Sequence, residues 1–312
     1  MTQWQNEPRN EYSLFGLNLR SEIPLPELQP LPHEDIDAIS ITIGRVAPLE
    51  GVSETSHTLM STAEGAIIAV AGVGRFCIRA GCEIVVDADP STSDRNVRLF
   101  LLGSAMGALL HQRAMLPLHA NVVDVGGRAV GFLGASGAGK STLAAAFHDR
   151  SYQILSDDIC VVTRGDNGHL AEPGIPRLRL WRDAVERSGR CPSSYERAFD
   201  ELDKYTVGIA RESRASAIPL QALYLLMREE GATDFAIRQL AGVEALKALM
   251  VNTYRGIFLQ TIGDPRKHFQ ACLRLNEEVP LFALSRPWDT ARIDETITRV
   301  EGHLDMFTKT NR

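Results

Sequence analysis

The run Gly134-Ala135-Ser136-Gly137-Ala138-Gly139-Lys140-Ser141-Thr142 constrains this chain more than any other, because it fits the pattern G-x-x-x-x-G-K-[ST]. Apolar Ala129-Val130-Gly131-Phe132-Leu133 precedes it and helix-compatible Leu143-Ala144-Ala145-Ala146-Phe147 follows, so the context is strand, loop, helix. Glycines in such a loop let backbone N–H groups converge on a polyphosphate, which a Cβ would obstruct. The helix start adds unpaired N–H groups and the positive end of its dipole. Lys140 can then bring a mobile charge to the β- and γ-phosphates of ATP, and the Ser141 hydroxyl can ligate the accompanying Mg²⁺. The pattern predicts an α/β fold with a mixed sheet flanked by helices.

Length and charge narrow the setting of that loop. The 312 residues, 44% hydrophobic and 23% charged, suffice for one large or two medium domains. A formal charge of −6 with no basic run gives no support to a nucleic-acid or acidic-membrane partner. The longest apolar stretch, Leu99 to Leu110, is too short to span a bilayer, and Met1 to Asn10 lacks a signal-peptide core. We therefore expect a cytoplasmic protein, with homo-oligomerisation left open. Cys77, Cys82, Cys160, Cys191 and Cys272 are odd in number and without C-x-x-C spacing, and read as reduced thiols.

Ahead of the loop, residues 12 to 90 carry a β pattern in Ile39–Gly44, Ala66–Val70, Arg75–Ile78 and Cys82–Val86, separated by glycine turns. This predicts a small antiparallel sheet forming a β-rich domain over residues 1–92, with residues 93–312 as the phosphate-loop domain. Gly72-Val73-Gly74 is followed by a strand rather than a helix and reads as a hairpin, not a dinucleotide fingerprint. From Asp94 the period becomes helical, with Val97, Leu101 and Leu109 on one buried helix ending before Pro117.

Ala120–Val125 and Arg128–Leu133 flank Gly126-Gly127, a two-residue hairpin signal. If Val125 pairs with Arg128, His119 falls opposite Gly134, bringing an imidazole to the first residue of the loop. A histidine satisfying backbone at a strand start is the plainer alternative. Beyond the loop helix, Tyr152–Leu155 reads as a buried strand ending in Ser156-Asp157-Asp158. Two adjacent carboxylates there repel each other unless a cation lies between them, which a metal–phosphate complex would supply; a solvated turn is the alternative. Arg177 and Arg179 alternate onto one strand face, and they and Lys204 are possible phosphate contacts or simply solvated side chains. Residues 183 to 203 read as a polar helical excursion or loop. Downstream, Leu220–Met227 reads as a strand with a partner around Phe235 and Ile237, Asp264-Pro265 as a helix start, and Leu281–Leu284 as a last strand.

Leu118-His119-Ala120-Asn121-Val122-Val123-Asp124-Val125, the loop Gly134 to Thr142, and Leu155-Ser156-Asp157-Asp158-Ile159-Cys160-Val161 resemble, in order and spacing, the catalytic domain of HPr serine kinase/phosphorylase. That family is similar in its nucleotide-binding core to ATP-dependent phosphoenolpyruvate carboxykinases. The match covers about residues 117 to 165, and Phe15-Gly16-Leu17 with Glu22-Ile23-Pro24 looks like the start of the broader HPr-kinase-like group. The resemblance implies that Lys140 and the loop amides bind ATP and that Ser141 binds Mg²⁺. It further implies that Asp157 and Asp158 share the roles of base toward a serine hydroxyl and metal ligand, with Asp157 the expected base and Asp158 the expected ligand. His119 matches the family histidine near the γ-phosphate. The family's E-I-R-G-x-G segment is absent, and Pro173-Gly174-Ile175-Pro176-Arg177-Leu178-Arg179-Leu180-Trp181 stands roughly in its place. The expectation is a Mg·ATP-dependent serine kinase acting on a protein or peptide other than HPr. A nucleotide-dependent switch or assembly factor, and a small-molecule kinase, remain the alternatives.

Overall fold

In the computed structural model, which describes residues 4, 10–32, 37–49, 58–175, 177–199, 202–208, 216–228 and 233–310, helices and sheets mix throughout. The front of the chain forms seven strands: β1 (Asn10–Leu14), β2 (Leu17–Ser21), β3 (Ile39–Ile43), β4 (Thr58–Thr62), β5 (Gly65–Val70), β6 (Gly74–Arg79) and β7 (Glu83–Ala88). Their order among the described residues is β1-β2-β3-β7-β6-β5-β4. The sheet is mixed rather than antiparallel, because β3 lies parallel to both β2 and β7. Short-range glycine turns account for the β5–β6–β7 meander, whereas the parallel pairings join segments distant in sequence and leave no local signal.

The buried helix after Asp94 is three segments in succession, α1 (Asp94–Phe100), a π-helical turn at Leu101–Ala105 and α2 (Met106–Gln112). Ser93 caps it, its side chain accepting from the Asn96 N–H. Its apolar face packs in one core with Leu19, Ile41, Phe76 and Ile84 of the front sheet and with Ile159, Val161 and Ile175 from the loop-bearing half. The helix thus serves both halves.

The second sheet carries the loop. It uses β8 (Leu116–Leu118), β9 (Ala120–Asp124), β10 (Ala129–Leu133), then, after helix α3 (Lys140–Asp149), β11 (Gln153–Ser156), β12 (Cys160–Gly165) and β13 (Gly168–Ala171). A separate three-stranded sheet follows: β14 (Arg177–Trp181), then after α4 (Arg182–Arg187), β15 (Glu196–Phe199) and β16 (Leu202–Gly208), ordered β14-β16-β15. Part of the stretch expected as a polar excursion is therefore a short half-exposed sheet, whose polar residues hid its period. Last come β17 (Ile218–Met227), β18 (Ala236–Leu240), α5 (Gly242–Val251), α6 (Leu259–Ile262), α7 (Pro265–Glu278), β19 (Leu281–Ser285) and α8 (Ile293–Thr310). The partner of β17 expected around Phe235 lies one strand further out: β19 pairs with β17 in parallel, and β18 pairs with β19.

The Gly126-Gly127 turn sets the register of β9 on β10, running from Asp124 opposite Ala129 to Ala120 opposite Leu133. Beside β10 lies β17 in parallel, then β13, β12 and β8. β8 runs on into β9 through His119, so one stretch of chain contributes strands at two places in the order β11-β9-β10-β17-β13-β12-β8. Alternate residues of β9 and β10 feed two cores: Val123, Val130 and Phe132 pack with α3 and α8, while Val122, Ala129 and Leu133 pack with α5 and α7. Within the first core Phe147, Phe132, Tyr224 and Phe282 follow one another at ring separations of 5.4, 5.8 and 5.4 Å. Each such pair adds about 0.5–1.5 kcal/mol beyond its buried area and pins α3 against the sheet. Cys77, Cys160 and Cys272 are buried free thiols, whereas Cys82 and Cys191 are exposed.

Candidate functional site

Strand β10 ends at Leu133, Gly134–Gly139 turn, and α3 begins at Lys140. Gly139 caps the helix in the left-handed region, φ 87°, where a side chain would be strained and where an added Cβ would lie 2.6 Å from the Arg286 guanidinium. Ala135, Ser136 and Gly137 are exposed at the rim, while Ala138 turns inward as part of the core. Lys140 is buried and donates from Nζ to the carbonyls of Gly134 (2.6 Å) and Ala135 (3.2 Å). Burial lowers its pKa, against the opposing attraction of Asp158. Ser141 and Thr142 follow on the first turn of α3, and all of Gly134–Thr142 except Ala138 line one cleft of about 1200 Å³.

The opposite wall is an interruption in a ladder. Ser156 of β11 stands opposite Val122 of β9, and Cys160 of β12 opposite Leu118 of β8, so the register is the same on both sides of a gap. His119 and Asn121 lie in the gap on one strand, Asp157 and Asp158 on the other. Asp158 adopts φ 67°, an uncommon conformation for a residue with a side chain and a kind of strain that gathers at functional sites. Asn121 Nδ2 donates to Asp157 Oδ1 at 2.5 Å, and His119 Nδ1 lies 3.0 Å from the Asp158 carbonyl.

The two carboxylates therefore face different surroundings. Asp157 is buried, does not line the cleft, and accepts from Asn121 and, at Oδ2, from the Arg179 N–H at 3.0 Å. Burial, then the neighbouring Asp158, raises its pKa. Asp158 lines the cleft, ion-pairs with the Arg179 guanidinium, and has Lys204 Nζ at 3.9 Å. Burial opposes its ionisation, but Arg179 and then Lys204 outweigh that and hold it well below the usual carboxylate range. Of the two acids, Asp158 lines the cleft and Asp157, the base expected from the sequence, lies behind it. The reason is local backbone: between β11 and β12 the chain leaves the extended conformation, and Asp158 in the left-handed region turns its side chain away from that of Asp157.

Arg179 and Lys204 reach the cleft from β14 and β16, where Trp181 and Lys204 are cross-strand partners. Arg177 shares the strand but does not line the cleft, and burial, then Arg179, lowers its pKa to about 10. Pro176 lies outside the described residues. His119 lines the cleft with a pKa lowered by burial and then by Lys140, which keeps the ring neutral.

Several residues at the site carry no motif. Asn252, at the end of α5, accepts the Gly134 N–H at Oδ1 (3.0 Å) and the His119 N–H at its carbonyl (2.6 Å), tying together the two positions that the hairpin register aligns. Behind it Thr253 Oγ1 bonds His268 Nε2 at 2.9 Å, and His111 Nε2 lies 2.8 Å from the Tyr254 carbonyl. Arg286 and Trp288, just past β19, complete the rim beside Gly139. An asparagine after an amphipathic helix and an arginine before Pro287 give the sequence nothing to flag.

No family model matches the chain, and no curated protein does either. Among solved structures it is similar to the Hpr(Ser) kinase/phosphatase from Coxiella burnetii, with a TM-score of 0.33 and 13% identity over 61% of this chain and 97% of that one. Among the described residues no helix is long and apolar enough to cross a membrane. None of them forms a group of three or more His, Cys, Asp or Glu able to hold a metal by protein ligands alone. Mg²⁺ with a nucleotide needs fewer, because phosphates and waters supply most of its oxygens.

Proposed function

We propose that the cleft binds Mg·ATP and transfers the γ-phosphoryl group to a serine-type hydroxyl of a protein or peptide other than HPr. The observation that carries this reading is that the helix start with Lys140 and Ser141 shares one cleft with an ionised carboxylate, Asp158, flanked by Arg179 and Lys204. Loop amides and Lys140 would hold the β- and γ-phosphates, for which Lys140 exchanges its present carbonyl partners. Ser141 and Asp158 are the residues that would hold Mg²⁺, which when bound offsets charge on the phosphates. Asp158 would also accept the hydroxyl proton as the new O–P bond forms and the bond to the β-phosphate oxygen breaks, releasing ADP. Asp157 is then a positioning residue, fixing Asn121 and the Arg179 backbone. The cleft is larger than an ordinary small-ligand pocket and leaves room for an acceptor segment beside a nucleotide. Exclusion of HPr rests on the sequence between Pro173 and Trp181, whose prolines cannot present the N–H groups of a glycine-flanked arginine segment.

Calorimetry with Mg·ATP tests the binding half. Lys140→Ala should weaken affinity by about 10–100-fold, the range expected on losing a charged hydrogen bond to phosphate. Unchanged affinity would remove the phosphate-loop assignment.

A further inference from the structure

The cations of the cleft differ in what neutralises them. Arg179 and Lys204 have Asp158, and Lys140 is solvated by two loop carbonyls. Arg228 and Arg255 are exposed to water. Arg286 has none of these. It is 5% exposed and lines the cleft, and among the described residues no acidic group offsets the burial that lowers its pKa. Its guanidinium carbon lies 5.3 Å from the centroid of the Trp288 ring, with that of Arg228 4.8 Å from the same ring.

A largely buried charge that no carboxylate among the described residues offsets is costly, and it persists where something else requires it. The position of Arg286 says what that is. Its guanidinium sits where a Cβ on Gly139 would be, 2.6 Å from that point, one residue before Lys140 and two before Ser141. A Cβ at 139 would displace it from this position. An anion held by the amides at the start of α3 therefore lies within reach of its planar donor fork, which suits phosphate oxygens.

We propose that Arg286 is a phosphate-binding residue, delivered from the end of β19 to the loop and matched to the polyphosphate of the bound nucleotide rather than to any carboxylate of the protein. This rests on the reading of the loop as an ATP site. Trp288 holds the guanidinium plane in place, and the ligand supplies the missing counter-charge.

The proposal requires stability and binding to move in opposite directions. Arg286→Met removes the charge but keeps an unbranched side chain. It should weaken Mg·ATP and Mg·tripolyphosphate by about 10–100-fold in calorimetry, leave adenosine binding unchanged, and leave the ligand-free melting temperature equal to or above that of the unmodified protein. Arg286→Lys should recover part of the affinity. If Arg286→Met binds both polyphosphates normally while Lys140→Ala loses them, Arg286 is not a phosphate ligand although the loop is. A lowered melting temperature with adenosine and tripolyphosphate weakened alike would make Arg286 structural and overturn the proposal. Normal binding by Lys140→Ala would overturn the ATP-site reading and this inference with it.

Discussion

The two walls of the cleft spend charge differently. On the strand wall, Asp158 lies against Arg179 and Lys204, and Asp157 behind it is sealed by Asn121 and a backbone N–H. On the loop wall, Lys140 leans on carbonyl oxygens and Arg286 is buried without a carboxylate. A wall whose cations are paired with a carboxylate attracts anions less than a wall whose cations have none. On the proposed function, this difference fits a polyphosphate against the loop wall and an acceptor against the strand wall.

The largest effect expected from breaking this division is on chemistry. Asp158→Asn removes both the base and a Mg²⁺ ligand, so it should weaken Mg·ATP binding in a way that added Mg²⁺ partly restores, and slow phosphoryl transfer at saturating Mg·ATP by about 10²–10⁴-fold. Asp157→Asn should cost about tenfold, since it disturbs the Arg179 N–H without touching the cleft. A pH–rate profile separates the two independently. Because the Asp157 pKa is raised and the Asp158 pKa depressed, a rate that holds as pH falls through the mildly acidic range assigns the base to Asp158. A rate falling there assigns it to Asp157 and reverses our assignment of the two acids.

Behind the loop wall, His268 is buried against Thr253, with burial and then His111 lowering its pKa to about 4. The unfolded chain binds the proton more readily, near pH 6.5, so this group's contribution is fully present above that pH and fades as pH falls toward 4. The loss should reach up to about 3 kcal/mol, seen as a falling denaturation midpoint that His268→Gln flattens. A midpoint with the same pH dependence in that variant would show that His268 is not the titrating group.

Much of this division could be read from the sequence, and the parts that could not have physical causes. Gly126-Gly127 sets the hairpin register, so the sequence places His119 opposite Gly134, and both residues meet at Asn252. The strands around Asp157 and Asp158 were legible from their apolar runs. Which acid faces the cleft was not, because it depends on the left-handed turn at Asp158 where the ladder breaks. Arg286 and Asn252 were invisible because they reach the site through parallel pairing of β19 on β17 and through the end of α5, contacts that local pattern does not encode. The front sheet was misjudged for the same reason: its parallel pairs are non-local, and polar β1 and β4 alternate weakly.

The smallest effect provides the control for both walls. Gly126 and Gly127 have φ of 62° and 85°, at the hairpin tip and outside the cleft. Gly127→Ala should cost about 1–2 kcal/mol of stability through the left-handed conformation and leave Mg·ATP affinity unchanged. Affinity lost in proportion to stability would mean that the hairpin transmits strain to the loop wall.

The central claim, that both walls serve one transfer reaction, is tested most directly by incubating the protein with γ-labelled ATP, Mg²⁺ and a cell lysate and identifying the labelled residues. The account predicts label on serine of a polypeptide with the unmodified protein and none above background with Asp158→Asn, although both bind ATP. Nucleotide bound by the unmodified protein with no label on any polypeptide would contradict it.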